Sequence, residues 1–262
     1  MGAIATNRGA IDIADTGGGG QIPILFLHGV GSDRTVWAPQ LEHFGGTRRA
    51  VALSYPGYGA SIFAPDATRD DYAAAVVAVM DALEIERAHI CGLSLGGVVA
   101  IALHAAAPHR CASLILADTF AVHPDGQAIF DRSAQASRTI GMRALAEARA
   151  NALLGRAAGP EVHHDVIETM SAIDPAAYVV AARAVWLADQ RDRAAAIGVP
   201  TLVLVGDEDS ITPPALSENL AALVPGATMH IIPAAGHLAN IEQPADFNAA
   251  IDTFLATIET AR

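Results

Sequence analysis

The sequence predicts an α/β fold: a mostly parallel twisted sheet with helices on both faces, interrupted once by a helical cap. Three observations predict it. Short apolar runs alternate with helical patterns through the first third of the chain, the alternation stops from about Val122 to Ile197, and it then resumes to the C-terminus. At 262 residues and 52% hydrophobic, the chain can bury the core of one large domain with an insertion.

The elements follow in order. Residues 22–27 (I-P-I-L-F-L) form an apolar run between a glycine loop and His28-Gly29, which predicts a buried strand. Residues 50–54 are a second strand, stopped by Tyr55-Pro56-Gly57. Over residues 66–83, Tyr72, Val76, Val79, Met80 and Leu83 share one helical face. Residues 88–92 are again strand-like. Residues 95–107 are apolar nearly all round, which suits a helix packed inside the molecule, and Pro108 ends it. Residues 113–117 are the next strand.

Residues 122–197 hold no convincing strand, only Ala- and Arg-rich helical stretches at 142–154 and 176–188. Strands at 201–205 and 228–232 then flank a helix at 214–223, and Phe247, Ile251, Phe254, Leu255 and Ile258 share one face of a final helix. The expected division is a core of residues 1–121 and 198–262 with a cap at 122–197. Residues 17–20, all glycine, are expected to be a hairpin loop.

Charge narrows the function. The formal net charge is −12, with 16 basic against 28 acidic residues, which speaks against a nucleic-acid partner. All 16 basic residues are Arg. Without a lysine there is no Schiff base, no pyridoxal attachment and no P-loop cation. The cap carries eight arginines against nine acids, so it is nearly neutral over a strongly acidic body. Cys91 and Cys111 are too few for a disulfide scaffold. Residues 1–16 lack a signal pattern, and no apolar stretch reaches the roughly 20 residues of a membrane span. A soluble cytoplasmic protein is expected.

The sharpest motif is Gly92-Leu93-Ser94-Leu95-Gly96, a G-x-S-x-G between a predicted strand and a predicted helix. Such a turn strains the serine backbone and pushes the hydroxyl off the sheet edge, and Gly92, Gly96 and Gly97 permit the close approach. The Leu95 amide then opens the helix where an oxyanion would form. A serine nucleophile needs a base, and His237, in Ala235-Gly236-His237 after the last strand, is the candidate. The acid that orients it is sought in Gly206-Asp207-Glu208-Asp209: Asp209 is favoured, Asp207 is its rival, and Asp118 stands outside. The order Ser94, Asp209, His237 matches the order that accompanies this elbow. His28-Gly29-Val30-Gly31 follows the first buried strand, and its turn offers the Val30 amide as a second oxyanion donor; His28 is expected to be a structural hydrogen-bonder.

Other signals are weaker. Gly57-Tyr58-Gly59 lacks the third glycine of a dinucleotide fingerprint, and His163-His164 with Asp165 and Glu168 is better explained as a solvated helix face than as a metal site.

Together, His28-Gly29-Val30-Gly31, Pro56-Gly57-Tyr58-Gly59-Ala60-Ser61, residues 91–97, Asp209 and His237 resemble the α/β-hydrolase family over essentially the whole chain. The resemblance implies a serine triad at Ser94, Asp209 and His237, an oxyanion hole from the Val30 and Leu95 amides, and a cap over the pocket. Cys91-Gly92-Leu93-Ser94-Leu95-Gly96-Gly97, Gly141-Met142-Arg143-Ala144-Leu145, Asp189-Gln190-Arg191 and the stretch from His237 to Pro244 look like the 3-oxoadipate enol-lactonase branch. The turn Ser54-Tyr55-Pro56-Gly57-Tyr58-Gly59 departs from that branch and is shared with carboxylesterases.

The expected activity is hydrolysis of a small carboxylic ester or lactone, with no metal or organic cofactor. Thioester hydrolysis and C–C bond hydrolysis would use the same residues, and a receptor-like protein could keep them as a binding pocket. Arg132, Arg138, Arg143 and Arg183 of the cap are candidates to hold a substrate carboxylate.

Overall fold

The computed structural model of the protein describes residues 2–260. Its strands are β1 (Gly2–Thr6), β2 (Gly9–Asp15), β3 (Ile24–Leu27), β4 (Ala50–Leu53), β5 (Ala88–Leu93), β6 (Cys111–Ala117), β7 (Thr201–Gly206) and β8 (Thr228–Ile232). They form one sheet in the order β1-β2-β4-β3-β5-β6-β7-β8. From β4 to β8 every pairing is parallel, while β1 and β2 add an antiparallel edge. Strands β3 to β7 are buried at every position, which is why they appear in the sequence as continuous apolar runs rather than alternating ones. β8 is an edge strand and exposes much of its length.

The helices are α1 (Ala38–Phe44), α2 (Arg69–Ala82), α3 (Leu95–Ala106), α4 (Gly126–Thr139), α5 (Gly141–Leu153), α6 (Pro160–Ser171), α7 (Pro175–Trp186), α8 (Arg191–Ala195), α9 (Pro214–Leu223), α10 (Ala239–Glu242) and α11 (Pro244–Thr260). α2 begins where Thr68 and Asp71 cap it reciprocally, each side chain taking the other's backbone N–H. α3 is buried on all sides from Leu95 to His104, which accounts for its apolar circumference.

Residues 17–20 do not form the expected hairpin. β2 pairs with one side of β4 and β3 with the other, so the glycine run carries the chain past the start of β4. Glycine is needed because Gly19 has a positive φ and lies against the Arg48–Arg49 backbone, with no room for a Cβ. The hairpin is β1–β2 instead. It turns at Asn7-Arg8, where the Thr6 hydroxyl oxygen accepts from the Arg8 amide at 3.1 Å.

Helices α4 to α7 lie in the chain between β6 and β7, where the cap is expected, α4 packing on α7 and α5 on α6. The insertion closes on itself at a bridge between Val122 and Asp189, beside a hydrogen bond from the Gln190 amide to the Ala121 carbonyl at 2.8 Å. The short α8 that follows packs on α3 and α9 of the body.

Candidate active site

Ser94, Asp209, His237 and the His28–Val30 turn all follow the C-terminal ends of sheet strands, β5, β7, β8 and β3 in turn. That edge is where open parallel sheets bind their ligands.

Ser94 has φ 55° and ψ −113°, a strained conformation for a residue with a side chain. Hydrogen bonds hold it there: its amide donates to the Ala117 carbonyl at 2.9 Å and its carbonyl accepts from the Thr119 hydroxyl at 2.8 Å. The elbow closes because a Cβ on Gly92 would strike the Gly96 carbonyl, and one on Gly96 the carbonyl of Leu27. Ser94 itself is buried and lines a cavity beneath the cap.

The Gly29–Val30 peptide passes beside this serine, with the position of a Gly29 Cβ only 3.3 Å from the Ser94 Cβ. The Gly29 carbonyl accepts from His28 Nδ1 at 2.7 Å and more weakly from Ser32. Because C=O and N–H oppose each other across a trans peptide, anchoring that carbonyl fixes the direction of the Val30 N–H. The tautomer of His28 follows from its neighbours: Nδ1 faces a carbonyl and carries the proton, and Nε2 accepts from the Tyr55 amide at 3.1 Å. Burial lowers the His28 pKa to about 4, so the ring is neutral. The Tyr58 hydroxyl donates to the Val30 carbonyl at 2.9 Å and steadies the next peptide. Among the described residues, neither the Val30 nor the Leu95 amide has an acceptor.

His237 Nδ1 lies 2.9 Å from Asp209 Oδ2, and both side chains are buried. Asp209 is itself saturated. Oδ1 accepts from the amides of Ile211 at 2.8 Å and Thr212 at 2.9 Å, and Oδ2 accepts from the Thr212 hydroxyl at 2.6 Å. Burial pushes its carboxyl up, but the adjacent imidazole and these donors outweigh it and hold the pKa below the usual Asp value. An ionised Asp209 accepts a hydrogen bond from His237 Nδ1–H, which puts Nε2 on the far side of the ring, and His237 lines the same cavity as Ser94. The imidazole partner is therefore Asp209. Asp207 is exposed and, among the described residues, accepts only from the Ala235 amide, while Asp118 is buried with Oδ1 on the Gly206 amide at 2.9 Å. Burial and the nearby Asp209 charge drive the Asp118 carboxyl well above its ordinary range, and among the described residues it makes no hydrogen bond to His237.

The cap is stitched to these loops through the end of α5. Glu242 accepts from the cap amide of Gly155 at 2.6 Å and from the amides of Gly236 and Leu238 on either side of His237, at 3.0 and 3.2 Å. The His237 amide donates to the Leu153 carbonyl at 2.8 Å, and Glu208 accepts from the Arg156 amide at 2.7 Å. Neither Thr212 nor Glu242 stands out in the sequence, because an orienting hydroxyl or a loop-bridging carboxylate carries no motif.

The cavity has a volume of about 530 Å³. Val30, Leu93, Ser94 and His237 line it from the body, and Arg149, Met170, Tyr178 and Trp186 from the cap. Arg132, Arg138, Arg143 and Arg183 do not line it. All four are exposed; Arg143 is bound by Glu168 at 2.6 Å, and Arg138 and Arg183 border a separate outer groove between α4 and α7. The arginine in the cavity is Arg149. Its signal was present: Met142, Leu145, Ala146, Ala150 and Leu153 form the buried stripe of α5, and Arg149 falls on that stripe at helical spacing. Among the described residues, no group of three His, Cys, Asp or Glu is arranged to hold a metal ion, and no helix is long and apolar enough to cross a membrane.

Known proteins share this architecture. A thermophilic esterase from Thermogutta terrifontis, solved with malate bound, is 32% identical with a TM-score of 0.89 over 98% of both chains. An enol-lactonase from Burkholderia xenovorans LB400 is 28% identical with a TM-score of 0.91, over 97% of this chain and 99% of that one. In sequence, 3-oxoadipate enol-lactonase 1 of Acinetobacter baylyi is 28% identical over 238 residues, covering 90% of this chain and 89% of the relative. The model of the alpha/beta hydrolase family matches residues 24–250, and the chain belongs to that family.

Proposed function

We propose that the protein hydrolyses a carboxylic ester or lactone through an acyl intermediate on Ser94. The observation that carries this reading is the buried Asp209–His237 pair at 2.9 Å, with His237 opening on the same cavity as the strained Ser94. In the first step His237 Nε2 takes the Ser94 proton as the hydroxyl oxygen bonds to the acyl carbon. The Val30 and Leu95 amides receive the resulting oxyanion. The imidazolium passes its proton to the leaving oxygen as the C–O bond breaks. In an ester that oxygen departs as an alcohol; in a lactone it stays tethered to the acyl group. Water, deprotonated by the same imidazole, then releases the acid and restores Ser94.

The likeness to enol-lactonases from two organisms supports a lactone, and the likeness to an esterase supports an open-chain ester. The test is hydrolysis of a short p-nitrophenyl ester beside an enol-lactone, with Ser94→Ala in parallel. The reading expects turnover that vanishes in the variant, and the faster substrate separates esterase from lactonase. Binding of either compound by folded wild-type protein without turnover would contradict it in favour of a receptor role.

A further inference from the structure

Arg149 is set apart from the other cap arginines by what holds it. Its Nη1 makes two long hydrogen bonds, to the Ser133 hydroxyl at 3.3 Å and the Tyr178 hydroxyl at 3.4 Å. Ser133 and Tyr178 are both buried, and both offer hydroxyls rather than carboxylates. Among the described residues no carboxylate pairs with this guanidinium, whereas the cap's Arg143, Arg156, Arg191 and Arg193 each have one. The positive charge is thus positioned without being neutralised, half-buried on a cavity wall.

The geometry of the two bonds matters. They occupy Nη1 and leave the Nε–H and Nη2–H edge unclaimed, and that edge matches the two oxygens of a carboxylate. The two acids on the wall, Asp165 and Glu168, are exposed, and Glu168 is already bound by Arg143. An isolated cation in a partly desolvated site selects an anion.

We infer that Arg149 is a specificity-determining residue that binds a carboxylate of the substrate, so that the compound hydrolysed is an ester or lactone bearing a free acid group. This deepens the reading of Ser94 as the nucleophile and rests on it for the word substrate. Binding of the acid group itself does not depend on turnover.

Two arms test it. The first compares the p-nitrophenyl monoester of glutarate with its methyl-capped neutral counterpart in wild type, Arg149→Met and Arg149→Lys. The ratio of the two kcat/KM values should fall about 10- to 100-fold in Arg149→Met, mostly through KM, and recover in part in Arg149→Lys. Measuring both esters on each preparation removes any general damage to the fold. The second arm measures glutarate binding by calorimetry in Ser94→Ala with and without Arg149→Met, and expects a comparable weakening. An unchanged ratio, an equal loss on both esters, or glutarate affinity indifferent to Arg149 would overturn the assignment. Should wild type hydrolyse neither ester, the nucleophile reading fails and the calorimetric arm still decides for Arg149.

Discussion

The floor and the roof of the cavity are built on opposite plans. On the floor, the side chains flanking Ser94 are buried and tied to fixed partners: His28 to Gly29 and Tyr55, Asp209 to Ile211, Thr212 and His237. On the roof, charges face solvent in ion pairs such as Arg143–Glu168, or stand uncompensated, as Arg149 does. A floor of this kind holds one geometry whatever the substrate, which chemistry on a developing charge requires. A roof with exposed pairs and an unpaired arginine on the cavity wall can change its residues without disturbing that geometry. Under the proposed function, this difference places reaction in the body and selection in the cap.

Perturbing the floor should produce the largest effects. In Asp209→Asn the amide N–H₂ cannot accept the Nδ1 proton, so His237 turns to the tautomer with a protonated Nε2. A loss in kcat/KM on the order of 10³–10⁴ is expected at neutral pH, with the fold unchanged by circular dichroism. A loss below tenfold would mean that another group orients His237.

His28→Phe comes next. Without the Nδ1 donor the Gly29–Val30 peptide is no longer anchored, and one oxyanion donor is misdirected. A fall in kcat of roughly 10- to 100-fold with little change in KM is expected from steady-state kinetics. The same side chain has a pH signature. Its folded pKa is lowered from 6.5 to about 4, so between those values the unfolded chain binds the extra proton. Wild-type stability should therefore decline as pH falls from 6.5 towards 4, and the share due to His28 should be missing from denaturant titrations of the variant.

Glu242→Gln sharpens the boundary between the two regions. Gln keeps one acceptor oxygen where the carboxylate uses two, so either the cap amide of Gly155 or the His237 loop loses its anchor. A fall in kcat of about three- to tenfold is expected, with a matching increase in hydrogen exchange at the 236–238 amides. Arg143→Gln should do least: with an exposed pair and no place in the cavity, it should leave melting temperature and KM unchanged. A clear rise in KM would return that arginine to the substrate site.

The same contrast explains what could be read from the sequence. The floor's residues sit in motifs because steric need fixes their neighbours: Gly92 and Gly96 are required by the Ser94 turn, and strands β3 to β7 are continuously apolar because both faces are covered. The edge hairpin β1–β2 has no comparable signature, and the run of four glycines imitates a hairpin turn. A glycine run marks backbone freedom, and here that freedom serves a crossing past β4. Cap arginines carry no such constraint. Arg132, Arg138, Arg143 and Arg183 stand out by type alone, whereas Arg149 is distinguished by its place on the buried stripe of α5, which only helical phase reveals.

The proposed hydrolysis requires a covalent acyl intermediate on Ser94. The most direct measurement is rapid-quench mass spectrometry of the enzyme mixed with p-nitrophenyl acetate, followed by digestion. A transient gain of one acetyl group is expected on the peptide containing Ser94, absent in Ser94→Ala and longer-lived in Asp209→Asn. Turnover of the ester with no adduct at Ser94, or an adduct that persists in Ser94→Ala, would contradict it.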